Sequence, residues 1–352
     1  MTGRRSIVAA LVAALLFGAS VPVAKVLVRG LSPVLLAGLL YVGSGIGLFA
    51  ARGMRDRRFA LPLMSAKQWW CLAGAIALGG ALAPILLVWG LTRTSAANAS
   101  LLLNLEGVLT AVLAWVVFAE NASRRIVVGM ALIVAGGLVL AWPGTGLVPD
   151  NLLGVVAVAA ACLCWAADNN LTRAVSAADS MFIGGTKGLV AGTANLALAL
   201  ALGAQLPTRP VVVAAMAVGF AGYGISLVLF VVALRGLGSA RTAAYFSTAP
   251  FVGAAIAIGA LQEPVTAGFW LATALMATGV WLHLTERHDH EHTHHCMEHE
   301  HTHTHDAHHL HTHDFVWDGT EPHSHLHRHE TITHRHPHYP DVHHRHDHRH
   351  DH

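Results

Sequence analysis

Two groups of side chains in this chain are of a kind that does chemistry. The first is a sparse polar set inside long apolar runs: Asn98, Asn104 and Glu106 within Ser95–Glu120, then Asp168, Asn169 and Asn170, then Lys187 and Asn195. The second is a crowd of histidines, every one of which except His283 lies from His288 onward. An ionisable group at mid-bilayer costs roughly 2.5 to 3.5 kcal/mol on insertion scales, so it faces protein or water rather than lipid. A carboxylate and an ammonium in that position read as a site for a charged substrate or a proton.

Asn104, Glu106, Lys187, Asn195 and Asp168 are the candidate substrate-binding residues. At about 100° per residue, Asn104 and Glu106 point to nearly opposite sides of their helix, so neither flank can face lipid alone. The Asn104 side carries Ser100, Gly107, Ala111 and Ala114, a small-residue seam for a close neighbour. For the asparagines, hydrogen bonding between helices is the plainer reading and comes first; for Glu106 function does. Lys187 admits two readings, snorkelling along its aliphatic stem to the interface and lining a central cavity. Its run also carries Gly184, Gly188 and Gly192, a line suited to tight packing. Asp168 sits nearer the interface, where AADNNLTR reads as a helix end. If the helix of Glu106 runs inward from about Thr94 and that of Lys187 outward from about Asp179, both lie about 12 Å from the inner face of a core about 30 Å thick. The shared depth places the two together as partners or on facing walls.

The histidines suggest metal. His288, His290, His292, His294, His295, His299, His301, His303, His305, His308, His309, His311 and His313 form a dense first cluster of candidate ligands. Neutral imidazole suits Zn, Ni, Co or Cu, and alternating positions of an extended chain share one side. Interspersed Asp and Glu add oxygen ligands, and Cys296 a sulfur. The segment holds too few apolar residues for a core, so it is expected to be disordered without metal.

The elements that must position the first group are membrane spans. Hydrophobic residues make up 54% of the 352 positions and charged ones 12%, with mean hydropathy +0.52; this is polytopic membrane composition. Charge divides unevenly, +10 up to Arg287 and −8 beyond it, giving the formal +2. Ten runs of about 20 residues follow one another: residues 6–28, 31–51, 68–91, 95–119, 126–142, 152–175, 181–202, 211–234, 240–261 and 265–284. The first lacks a clear cleavage site and exceeds a signal h-region, so it reads as a span. Arg4, Arg5, Arg52, Arg55, Arg57, Arg58, Lys67, Arg124, Arg125, Arg173, Arg235, Arg241 and Arg287 collect on one side, against Lys25, Arg29, Arg93 and Arg209 on the other. That bias puts both termini, and the tail, in the cytoplasm.

An internal echo joins the halves. VWGLTRTSAANAS resembles VVALRGLGSARTA, and FGASVPVAK resembles CWAADNNLTR. With five spans per half, the second enters the membrane from the opposite side, which makes an inverted repeat. The chain resembles the EamA branch of the drug/metabolite transporter superfamily over Ser6 to about Leu284, in FGASVPVAK of the first span and in LVWGLTRTSAANASLLLNLEGVLTAVLAWVVFAE of the fourth. Where that family's motif has Glu followed by Pro, Glu106 is followed here by Gly107, and Ala249 and Pro250 stand at the corresponding place in the second half.

The resemblance implies an all-α membrane protein of ten transmembrane helices in two inverted five-helix repeats, residues 1–145 and 146–287, with the tail at 288–352. It implies a carrier of small metabolites, most often an exporter, working by alternating access with no cofactor required for transport. An inner-membrane exporter with a metal-sensing or buffering tail is therefore the first reading. Direct efflux of Zn, Ni or Co, with the tail as collector, is the second; the absence of histidine before His283 weighs against it. A mere anchor for metal storage would need neither the repeat nor Glu106. No HExxH, nucleophile elbow or phosphate loop marks an enzyme, and the scattered basic residues do not mark a nucleic-acid surface. The partners expected are a small-molecule substrate, the lipid bilayer and a divalent metal, with a homodimer left open.

Overall fold

The computed structural model describes residues 2–56, 62, 64–118, 124–142, 152–173, 175, 179–285, 289–294, 297–303, 323–329 and 332–337. Two compact units separate at the boundary between Glu286 and Arg287.

The first unit is helical throughout its described residues. Its first half runs α1 (Thr2–Leu27), a 3-10 turn, α2 (Pro33–Asp56), α3 (Ala66–Ala75), a π-helical segment (Ile76–Leu82), α4 (Ala83–Leu91), α5 (Ala96–Leu102), α6 (Asn104–Phe118) and α7 (Arg124–Ala141). The second half repeats that order as α8 (Leu152–Arg173), α9 (Ser180–Ala201), α10 (Arg209–Gly219), a second π-helical segment (Phe220–Ile225), α11 (Ser226–Phe246), α12 (Ala249–Leu261) and α13 (Ala267–Leu284). Among the described residues, eight helical stretches are long and apolar enough to cross a membrane. The 22-residue α9 and the shorter apolar α12 complete the ten passages.

Packing follows the repeat. Helices α2 and α9 cross at the centre and α7 lies on α13; α1 packs on α11 and α12, while α8 packs on α4 and α6. Glycine makes the central crossing close. A Cβ on Gly188 would stand 2.6 Å from the Gly45 nitrogen, and one on Gly192 would stand 2.4 Å from that of Val42. The glycine line of α9 is therefore the packing surface its spacing predicts.

Three sequence expectations are corrected. The fourth span is interrupted by one turn residue, Leu103, which separates α5 from α6. Ser100 packs on Gly253 and Ala111 against the core, but a Cβ on Gly107 would meet nothing within 4 Å, so the small-residue seam is interrupted at Gly107. The eighth span does not stop near Arg235, because α11 runs on to Phe246. The break instead falls at Ser247 and Thr248, just before Pro250 at the start of α12, where proline is tolerated because its missing N–H has no helical partner anyway.

Cross-links fix the helix ends. Glu263 accepts from the backbone N–H groups of Ala96 at 3.0 Å and Ala97 at 2.9 Å, capping α5. Lys25 donates to the Leu91 and Thr94 carbonyls at the end of α4. Asp179 caps α9 through the Met181 N–H and takes Arg52 at 2.9 Å and Arg55 at 2.7 Å from the end of α2. Burial pushes the Asp179 carboxyl up, but the Met181 N–H and the two guanidinium groups outweigh it and hold the group below the usual aspartate range. A depressed carboxylate contributes stability that is complete above its unfolded value, about 4, and is lost as pH falls through the folded one. Asp179→Asn is expected to lower stability by about 1 kcal/mol at neutral pH and to flatten the acid limb. Unfolding followed in detergent from neutral to acid pH checks both.

In the second unit, four stretches predicted to lack regular structure are paired strands: β1 (Asp289–His294), β2 (Met297–His303), β3 (His323–His329) and β4 (Ile332–Pro337). Alternation with a period of two is a strand pattern, and here it finds antiparallel partners. β1 pairs with β4 and β2 with β3; His299 stands opposite His327, His301 opposite His325 and His303 opposite His323. Of the candidate metal ligands, His290, His292 and His294 fall in β1 and His299, His301 and His303 in β2. His288, His295, Cys296, His305, His308, His309, His311 and His313 lie outside the described residues. Because the units separate at Arg287, truncation there is expected to leave insertion and the thermal transition of the membrane unit unchanged. Localisation and thermal unfolding of the truncated protein test this.

Candidate functional site

The polar centre forms where the first π-segment lies between α8 and α9. That segment contains Gly79 and Gly80, and a π-turn widens the helix by one residue, a device frequent at functional sites. A Cβ on Gly79 would stand 1.9 Å from Asp168 Oδ2, so glycine is what leaves room for that carboxylate. Through this opening Lys187 reaches Asp168, with Nζ 2.6 Å from both carboxylate oxygens. Thr172 donates to Asp168 Oδ1 at 2.8 Å. The two side chains are only 17% and 7% exposed.

The partner of Lys187 is therefore Asp168 rather than Glu106, and its ammonium does not snorkel to the interface. AADNNLTR does end a helix, since α8 closes at Arg173 with Asp168 in its last two turns, and the carboxylate there is engaged in the ion pair. Glu106, in the first turn of α6, takes a hydrogen bond from Asn169 Nδ2 at 2.9 Å. Asn169 follows Asp168 directly, so α8 presents an ion pair and an amide–carboxyl pair side by side. Asn170 donates to the Ala166 carbonyl at 2.8 Å.

The remaining asparagines brace the bundle. Asn104 is buried and donates to the Leu101 carbonyl at 2.9 Å, on the α13 side of its helix near Met276. Asn195 donates at 3.1 Å to the Ala81 carbonyl within the π-segment. Tyr41 and Trp165 converge on the Gly79 carbonyl at 2.9 and 3.0 Å. That carbonyl could not be found from the sequence, because its two donors depend on where the π-turn falls.

The repeat supplies a counterpart to the polar centre. Gly222 of the second π-segment faces Ser20 as Gly79 faces Asp168, which aligns Ser20 with Asp168 and Phe17 with Trp165. On that side the neighbours are aromatic: Phe17 lies 6.0 Å from Tyr223 and 5.5 Å from Phe246, centroid to centroid. Tyr41 and Tyr223, 5.4 Å apart, join the two sides. One of the two corresponding places thus carries charge and the other a ring cluster, each built from both halves of the duplication.

Ten helical passages, two repeats, and breaks and π-segments at matching places in each half define a multi-pass membrane protein built by inverted duplication. The chain belongs to the EamA-like transporter family, whose model matches it twice, over residues 4–142 and 152–285. It is 29% identical over 286 residues to an uncharacterized transporter of Methanothermobacter thermautotrophicus, covering 77% of this chain and 83% of that one. A crystal structure of another protein shares the fold with TM-score 0.59 and 20% identity, over 78% of this chain and 94% of the other.

Proposed function

We propose that the protein is a secondary transporter that exports a small metabolite across the inner membrane by alternating access, with both termini in the cytoplasm. The observation that carries this reading is Glu106 and Asn169, a carboxyl and an amide joined at mid-span. Glu106 is only half-buried and Asn169 is exposed. Hydrocarbon against such a pair would be costly, so its open side faces an aqueous passage. In inverted-repeat carriers the substrate lies near the midplane at discontinuous helices; α5–α6 is such a helix, and Glu106 lies just past its break.

Passage of a divalent cation is the weaker reading. Of the two carboxylates at the centre, Asp168 is already held by an ammonium. The tail serves instead as a metal-binding sensor or buffer, and the register that sets β2 histidines opposite β3 histidines supports it. Its affinity for Zn, Ni, Co or Cu is expected to fall as pH drops through about 6.5, where imidazole protonates. Titration of the full chain against the chain truncated after Arg287 measures this; equal binding by both would remove the tail from metal handling.

The deciding experiment compares a deletion strain with its parent for metabolites in the medium and for intracellular Zn, Ni, Co and Cu, with complementation by wild type and Glu106→Gln. Export predicts a metabolite difference that Glu106→Gln does not restore at normal protein yield. A change in metal content with no metabolite change would reverse the two readings.

A further inference from the structure

The polar centre is not electrically balanced. Among the described residues around it there are two carboxylates, Glu106 and Asp168, and one ammonium, Lys187. The ammonium is committed, since Lys187 Nζ contacts both oxygens of Asp168 at 2.6 Å. Glu106 has a neutral partner only, the Asn169 amide on Oε1. No described cation lies within ion-pair distance of it.

The other groups that face Glu106 do not supply the missing charge. From α8 come Asp168 and the Cys162 thiol, the latter directed to the Leu102 carbonyl at 3.6 Å. From α9 comes Lys187, and from α2 Tyr41, whose hydroxyl is given to the Gly79 carbonyl at 2.9 Å. Helix α5 has no titratable side chain, and α7 has only Arg124 and Arg125 in its first turn. A half-buried carboxylate at mid-span with no cation, open on one side to an aqueous passage, can exchange a cation or a proton with that water. Asn169 leaves Oε2 free to carry the proton while the amide stays bonded to Oε1.

We propose that Glu106 is a proton-carrying site: its carboxyl holds an exchangeable proton, and this is the ion whose passage is coupled to transport. The proton is taken from water on one side of the membrane and released to water on the other, with no electron transferred and no bond changed except O–H. The adjacent Asp168–Lys187 pair is internally neutral and carries no proton in the cycle. This assignment rests on the reading of the centre as the transport site.

Infrared difference spectra of the full-length protein in liposomes, recorded across pH steps, test it without a substrate. Ordinary exposed carboxylates titrate near about pH 4, so a protonated-carboxyl carbonyl stretch at neutral pH reports a membrane group. The expected result is one such band in wild type and in Asp168→Asn/Lys187→Met, which removes the neighbouring pair without freeing an ammonium, absent in Glu106→Gln, with one proton fewer taken up per chain by a dye assay. Glu106→Asp, which retains a carboxyl, is expected to shift the band and its midpoint; it decides the matter if the Gln variant does not insert. No band in wild type overturns the proposal, as does a band that survives Glu106→Gln but vanishes in Asp168→Asn/Lys187→Met. If the band is absent while Glu106→Gln still abolishes flux, only the proton assignment fails. Full flux in Glu106→Gln, with the band present in wild type, overturns the coupling.

Discussion

Replacing either member of the Asp168–Lys187 pair is expected to destabilise the membrane unit by about 3 to 5 kcal/mol, the usual result of leaving one buried charge without its partner. The pair has little water to fall back on, with 17% and 7% of the two side chains exposed. Asp168→Asn strands the ammonium, and Lys187→Met strands a carboxylate that retains only Thr172. Asp168→Asn/Lys187→Met removes both charges and is expected to lose less than either single variant, because the large single losses come from the orphaned group rather than from the pair itself. Unfolding in detergent of all four proteins gives the coupling energy. Additive losses in the double variant would mean that the two charges do not act on one another.

Gly79→Ala is expected to have the second-largest effect, and to act through the same pair. The added methyl would stand 1.9 Å from Asp168 Oδ2 and 2.3 Å from its Cγ. The carboxylate must therefore move, taking it off Lys187, or the π-segment must move, taking the Gly79 carbonyl from Tyr41 and Trp165. Overpacking of this kind costs about 1 to 3 kcal/mol before any broken polar contact is counted. Gly259→Ala is the control: nothing lies within 4 Å of a Cβ there, and alanine in a helix is favoured over glycine by about 0.5 to 1 kcal/mol. Unfolding of the two variants separates steric conflict from helix propensity. A Gly79→Ala protein as stable as wild type would show that the π-segment yields without disturbing the ion pair.

These two expectations also mark where reading the sequence stops. The length and polarity of each run follow from bilayer thickness, and the duplication follows from the matching segments and the five runs in each half. The glycine line of α9 was legible because close helix approach leaves a periodic trace. The choice of partners was not. Lys187 went to Asp168 because a π-turn with Gly79 and Gly80 opened a path between α8 and α9, and no periodicity announces where a helix takes an extra residue into one turn. The gap beside Gly107 was equally silent: Asn104 and Gly107 lie in the same helix, yet a Cβ on Gly107 would meet nothing within 4 Å. Nor did the charges Arg235 and Arg241 end α11, since positive residues report the side of the membrane on which a segment lies and not the hydrogen-bond register of its backbone. The sequence by itself determined the spans, their duplication and the polar residues at their middle, because transfer into lipid acts on each run separately. Only the tertiary structure decided which of those residues meet, because that depends on local helix geometry summed over four segments far apart in the chain.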